Sequence, residues 1–547
     1  MLALEADATH VEEHIRRCVP DAPGPFGTLG AMMLVARWRE QLSPESLALL
    51  KQMLTADANH RGNTENHWLI YYATSLVAVE TWPEVTLWWN GQSREVVHAE
   101  ASRWILGMID RTARVGHHEY DSPQYHICHA LCMILLADHA QDPHLRHQAE
   151  QMATLFVADM ALEYFHGAWA GGHSREGYCQ NTWTITGMTA ALAYCYFGGV
   201  DFDPETHGTE MAGAAVTAAY RPPPLLAAMA LDREYPMVVR KTKAPREIYR
   251  HASRVAAPVH KYTYLSPSFA LGSTQVGLPG PMAGPIDLIS WDLTWDGPKH
   301  EAKIVCNHPY LSPGRFSAFL SELPQVIGRS VAEAHKPYLQ NPDRLFGASP
   351  YEQMMQHESA LLVAYRIPPD DRAPYVHLYL PREMVWVEED GWLLGDGEAF
   401  YVGIRPFTPY QWLEIHEADL VDGWLLRMEG ENLGLALETE EAAKAGSFET
   451  FCAQMTDSPR LDLSRWSTSG EVAYRTRRGP RLALTYDGAH RVDGEEIDYG
   501  AWPQYEAPGV EGTVGTGRVE FRRAGDDFAL DFGVDPDLPM LPMRVIG

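Results

Sequence analysis

Asn63-Thr-Glu-Asn66-His67, Glu119-Tyr120-Asp-Ser-Pro-Gln-Tyr125-His126 and His173-Ser-Arg175-Glu176-Gly-Tyr178 are polar clusters of similar make-up, each set just before or within the start of an apolar run. Together they hold the parts needed to remove a proton α to a carboxylate. That chemistry needs the carboxylate neutralised, a base facing the carbon and an acid meeting the leaving oxygen. The Asn66 amide can donate to a carboxylate oxygen without carrying charge, and His67 follows it directly. Arg175 supplies a bidentate partner for a carboxylate, or a cation that depresses a neighbouring tyrosine pKa. Ser122-Pro123 reads as a helix start, which puts Tyr125 in the first turn and His129 four residues on along the same face. Backbone N–H groups at that end favour anions, so Tyr125 is the first candidate for a phenol that must lose its proton, with Tyr120 and Tyr178 next.

Each of these residues also has an ordinary structural reading. Asn66 suits an N-cap, His67 a satisfied core histidine, Tyr125 a core or rim aromatic, and Arg175 with Glu176 an ion pair or a loop brace. His126 with His129, His144 with His147, and His117-His118 lack further ligands at zinc-motif spacing, so no metal and no cofactor is expected. Cys128 and Cys132 lack the Cys-x-x-Cys spacing and read as core. The chain shows no P-loop, dinucleotide fingerprint or nucleophile elbow.

The elements that must carry the clusters repeat. From residue 67 to 123 is 56 positions and from 123 to 180 is 57, the length of two helices with their loops. Up to residue 245, apolar residues recur at helical spacing in 31–38, 68–79, 101–109, 127–137, 149–162 and 183–197. The runs 68–79, 127–137 and 183–197 are apolar nearly all round, as helices buried on every side must be; the runs between them carry charge on one face. Buried and half-exposed helices alternating at this period predict an α/α toroid, an incomplete barrel of helical hairpins, over residues 1–245. All inner helices of such a toroid run the same way, and their N-termini line one rim.

From residue 246 the period changes to two. Residues 261–265, 359–367, 375–380, 399–405, 423–428 and 481–486 alternate between Gly, Pro and Asp turns, predicting an antiparallel β-sandwich over 246–547. Pro222-Pro-Pro224 and the basic stretch 240–254 read as the connector, and Glu438-Thr-Glu-Glu441 as a solvated loop or strand end. The fold class is therefore multidomain α and β.

At 547 residues, 46% of them hydrophobic, the chain can bury two or three cores. Its 72 acidic and 44 basic residues give a formal charge of −28, which repels phosphate backbones and anionic lipid, so neither nucleic acid nor a membrane is an expected partner. A polyanionic substrate is repelled at long range too, and its site must carry local Arg, His or Asn groups. The seven scattered cysteines read as reduced, mostly core residues. The N-terminus has no basic n-region or apolar h-region, and no stretch nears 18 apolar residues, so a cytoplasmic location is expected. Oligomeric state is left open.

Asn66-His67 followed by Tyr125 resembles the pattern of the α/α-toroid polysaccharide lyases of the heparinase II/III and alginate-lyase type. The resemblance implies a helical toroid joined to an antiparallel sandwich, and cleavage of a uronic-acid-containing oligo- or polysaccharide by β-elimination. It further implies that a histidine reaches in from the β-domain, for which His357 of Gln356-His357-Glu358 is the match. On this pattern Tyr125 protonates the leaving O4, Tyr125 or a histidine takes the C5 proton, and Asn66, His67 and Arg175 neutralise the carboxylate. Glu119, Tyr120, His126, His129, His173, Glu176, Tyr178 and Trp169 would line the substrate, with Trp68, Trp88, Trp89, Trp169 and Trp183 available for stacking on sugar faces. Some heparinase-like proteins hold a structural ion in the β-domain. The chain departs from the pattern in its acidity and in lacking a visible export signal.

Rival readings share the fold. An inverting glycoside hydrolase would place two carboxylates from among Glu65, Glu119, Asp121 and Glu176 roughly 6.5 to 9.5 Å apart. A uronate C5 epimerase would use the same proton chemistry without cleavage. A carbohydrate-binding protein would keep the fold without activity.

Overall fold

The computed structural model describes residues 9–19, 24–56, 61–62, 64–174, 187–201, 211–244, 258–275, 288–297, 302–310, 349–417, 421–457 and 460–543. Its first part is helical: α1 Thr9–Cys18, α2 Gly24–Trp38, α3 Pro44–Thr55, α4 Glu65–Thr81, α5 Arg94–Val115, α6 His126–His139, α7 Pro143–Glu163, α8 Met188–Phe197, α9 Ala212–Val216 and α10 Pro224–Leu231. Helix α4 packs on α2, α5 and α6, and α6 in turn on α7 and α8, so the all-round apolar runs have neighbours on every side. Helices α5 and α7 lie against each other, α5 also against α4 and α7 against α6. Local signals start these helices: Ser43, Ser93 and Asp142 accept from the first-turn amides of α3, α5 and α7, with Pro44 and Pro143 at the first helical position.

The rest is mainly antiparallel sheet, with short helices at Ala442–Ala445, Phe448–Thr456 and Trp466–Ser469. Twelve strands form one sheet, six a second and five a third. Alternation along the strands sorts side chains between cores. In Val259–Leu265, Tyr262 and Tyr264 enter the core shared with the six-stranded sheet, while Lys261 and Thr263 face helix α7. In Ala360–Arg366, Leu361, Val363 and Tyr365 enter that same core, and Leu362 and Ala364 enter a further core shared with the five-stranded sheet. The six-stranded sheet is thus covered on both faces along Ala360–Arg366, which is why that strand is apolar almost throughout.

The sheet begins earlier than the expected boundary at 245. Met237–Lys243 pairs along its whole length with Val259–Leu265, so the first residues of the basic stretch taken for a connector are a strand deep in the twelve-stranded sheet. The sheet also ends against the helices. Strands Tyr505–Ala507, Val510–Gly512, Arg518–Arg523 and Asp526–Asp531 follow Met237–Lys243, and Val510, Phe521, Leu530 and Phe532 join the apolar cluster of the helices. Polar bonds tie the seam: the Gln504 amide donates to the Ala113 carbonyl at 2.7 Å, Gln151 to that of Asp531 at 3.0 Å, and Arg114 to that of Leu538 at 3.1 Å.

The Glu438–Glu441 stretch is not solvated. It ends the strand Asn432–Glu441, where Glu438 accepts from the Tyr474 hydroxyl and the Arg477 amide, Glu440 pairs with Arg477 and Arg478, and Glu441 accepts from Ser266 and Ser268. The paired arginines and hydroxyls let these acids be buried. Of the described cysteines all are free thiols; Cys195 is exposed, against the expectation of core placement. No helix among the described residues is long and apolar enough to cross a membrane.

Gly116 ends α5 at φ +88°, and a Cβ there would collide with the Thr242 carbonyl and the Lys243 Cα of the sheet. Gly116→Ala is therefore expected to cost more than about 3 kcal/mol, from unfavourable φ plus backbone displacement. Urea unfolding checks it: a loss under about 1 kcal/mol would mean the close approach relaxes freely.

Candidate functional site

The first turns of α2, α4, α6 and α8 meet at one rim. Phe26 of α2 sits edge-on to His67 of α4 at 5.3 Å between ring centroids and stacks with Tyr125, at the start of α6, at 6.1 Å and 19°. Thr189 of α8 completes the group: its amide donates to the Pro123 carbonyl at 2.9 Å, and its hydroxyl to that of Ser122 at 3.1 Å. Helix α6 begins at His126 with Tyr125 in the N-cap position, three residues later than the expected Ser122 cap; Ser122 instead shapes the turn before the helix, its hydroxyl accepting from the Tyr125 amide at 3.0 Å. The helices therefore run the same way, and their N-terminal dipoles point at the rim. Phe26 and His67 are partly exposed, and Tyr125 beneath them is buried at 9% exposure.

Beneath the rim, Glu119 bridges two helices. The Asn66 amide donates to both of its oxygens, at 3.1 and 2.9 Å, and His129 Nε2 lies 2.9 Å from one of them. All of these side chains are buried. This alters two expectations. Asn66 makes no cap for α4, whose N-cap position is Thr64, and its donor is directed to an internal carboxylate rather than a substrate's. Glu119 and His129 are held inside the protein, so their part is to fix α4 against α6.

Several other residues expected at the substrate lie in the packing. His126 bonds the Phe156 carbonyl at 2.9 Å and meets the Trp169 ring edge-on; Trp169 is buried and donates to Glu163 at 3.0 Å. Trp68 and Trp88 are likewise core rather than stacking platforms. Tyr120 is fully buried, its carbonyl accepting from the Ser174 amide and hydroxyl, and His173 lies in a short strand pairing with Ile289. In the hairpin of Glu352–His357, His357 stands opposite Ala360 on the face turned towards the five-stranded sheet; the neighbour that turns to the twelve-stranded sheet is Gln356, bonded to Ser273 at 2.7 Å. Arg175, Glu176, Tyr178 and Trp183 lie outside the described residues.

Sequence reasoning missed a buried charge network behind this site. Lys241, Lys243 and Lys261 of the sheet meet Asp121, Asp159 and Glu163 of the helical part, every side chain at most 1% exposed. Lys241 is 2.5 Å from Glu163 and 3.2 Å from Asp121, Lys243 is 2.6 Å from Asp159 and 3.3 Å from Asp121, and Lys261 is 2.9 Å from Glu163 and in direct contact with Asp121. Burial alone would raise the Asp121 carboxyl, but the surrounding lysines hold it well below its ordinary range. Burial would likewise lower Lys241 and Lys243, yet the facing carboxylates raise both. The available signal was Lys241-x-Lys243 at period two after Val238-Val239, and Asp159 with Glu163 one turn apart in the apolar second half of their helix.

Burial also pushes His117 well down, helped by neighbouring imidazoles, and lowers His126 to about 4. A folded pKa below the unfolded one means that the unfolded chain binds the proton first, so stability falls as pH drops from about 6.5 towards 4. His126 alone is expected to contribute a loss of about 3 kcal/mol across that window. His126→Gln, which keeps a donor for the Phe156 carbonyl, should flatten the pH dependence of the urea midpoint; an unchanged slope would contradict the assignment.

Compared with known proteins, the chain matches no family model, and no curated protein is similar to it. Among the described residues no group of three or more His, Cys, Asp or Glu is arranged to hold a metal ion.

Proposed function

We propose that this protein is a polysaccharide lyase with an α/α-toroid helical part, cleaving a uronic-acid-containing oligo- or polysaccharide by β-elimination. The observation that carries the reading is the meeting of His67 and Tyr125 around the partly exposed Phe26 ring, at a rim built from parallel helix N-termini. A uronate carboxylate entering this rim meets aligned backbone dipoles, which favour the extra negative charge that develops on it when the C5 proton leaves. His67 or the Tyr125 phenolate takes that proton; the C5–H electrons form the C4–C5 double bond, the C4–O4 bond breaks, and the Tyr125 hydroxyl protonates O4. Asn66 acts through Glu119, fixing the first turn of α4 beside that of α6.

The rival hydrolase reading loses two of its carboxylates to other duties: Asp121 is surrounded by lysines, and Glu119 is bound by Asn66 and His129. The test is a screen of uronate oligosaccharides read by ultraviolet absorbance of the conjugated product. New reducing ends without absorbance would support a hydrolase instead, and solvent deuterium at C5 without cleavage an epimerase. Binding without turnover would leave a carbohydrate-binding protein.

A further inference from the structure

The segment from His117 to Ser122 joins α5 to the start of α6, and every residue in it is buried. Each of three side chains in it has a distinct task. Glu119 takes Asn66 and His129, Ser122 holds the Tyr125 amide in the turn before α6, and Asp121 leaves the helical part altogether to meet Lys241, Lys243 and Lys261 of the sheet. Asp121 adopts φ +52°, a left-handed conformation that a non-glycine residue holds only when its surroundings fix it. The sheet thus grips the segment between the two residues that shape the rim.

We propose that Lys241 and Lys261 are positioning residues for the helical site, acting through Asp121 to set the placement of Glu119 and Tyr125. Neither lysine reaches the rim. Both bond Glu163 as well as Asp121, so the α7 C-terminus and the 117–122 segment are referred to the same two ammonium groups. Lys243 differs in having Asp159 as its closer partner, at 2.6 Å against 3.3 Å to Asp121. The catalytic consequence rests on the lyase reading; the mechanical one does not.

Two charge-balanced double variants of the full chain separate positioning from mere stability. Asp121→Asn with Lys261→Met removes the grip on the segment, whereas Asp159→Asn with Lys243→Met removes an equal number of charges from the same network and leaves Asp121 to Lys241 and Lys261. Amide hydrogen exchange in 117–126 is expected to quicken about tenfold or more in the first variant, with strands 361–365 and 376–380 unchanged, and to stay near wild type in the second. On a uronate oligosaccharide that the wild type cleaves, the first variant should lose kcat about tenfold or more with KM little changed, as displaced acid–base groups do, and the second should keep its kcat. If the variants exchange alike in 117–126, the inference is overturned. A wild type without lyase activity overturns the proposed function while the exchange result still decides this one. Should the first variant fail to fold, Asp121→Asn alone, which keeps the segment's volume, is read by the same exchange comparison.

Discussion

Replacing Tyr125 by phenylalanine is expected to lower turnover on a cleaved uronate oligosaccharide by about 10²- to 10⁴-fold, the usual worth of a positioned proton donor. The ring's stack on Phe26 and the backbone bond to Ser122 do not involve the hydroxyl, and the variant keeps both. Thermal unfolding should therefore move little while kcat collapses. KM should change much less, because the lost interaction is one made to the leaving oxygen as its bond breaks. Turnover within a few-fold of wild type would remove Tyr125 from the chemistry and return the question to the other groups at the rim.

Lys241→Met is the substitution expected to cost most stability, about 3–5 kcal/mol, because it leaves Asp121 and Glu163 buried with one cation fewer. The pH dependence has a defined sign. Asp121 titrates below its unfolded value, so its share of stability is present above about pH 4 and is lost as pH falls through the folded value. Lys241 and Lys243 titrate above theirs, so their share is present below about pH 10.4 and lost only as pH rises through the raised values. The deficit of the variant, read from urea midpoints, should be level between about pH 5 and 9 and shrink in stronger acid. A deficit under about 1 kcal/mol at neutral pH would mean that the network tolerates imbalance, and that its lysines do less than their contacts indicate.

Much of the scaffold was legible because its signals are local. The runs at 68–79 and 127–137 could only be helices enclosed by others, and they are α4 and α6; the strands beginning near 261, 360, 375 and 400 follow from alternation and turns. Asn66, His67 and Tyr125 were legible as a group because the 56-residue spacing brings successive helix starts together. What failed to show was decided across the chain. Lys241 and Lys243 look solvated when read alone, and only carboxylates some 80 residues earlier, Asp159 and Glu163, make their burial affordable. A one-residue difference in register separates Gln356, which faces the twelve-stranded sheet, from His357, which does not. No periodicity fixes such a parity at a hairpin end. The partners of Glu438 and Glu440 are likewise about 36 to 40 residues away, in and just after the strand Glu471–Arg475.

The seam between the helices and the last strands has a consequence for biogenesis. Val510, Phe521, Leu530 and Phe532 complete the apolar cluster of the helices, whose α5 and α7 leave the ribosome about 350 to 440 residues sooner. Throughout that interval the helical cluster lacks these four apolar side chains. A chain stalled before Val510 would leave that cluster incomplete and would be a target for chaperone capture.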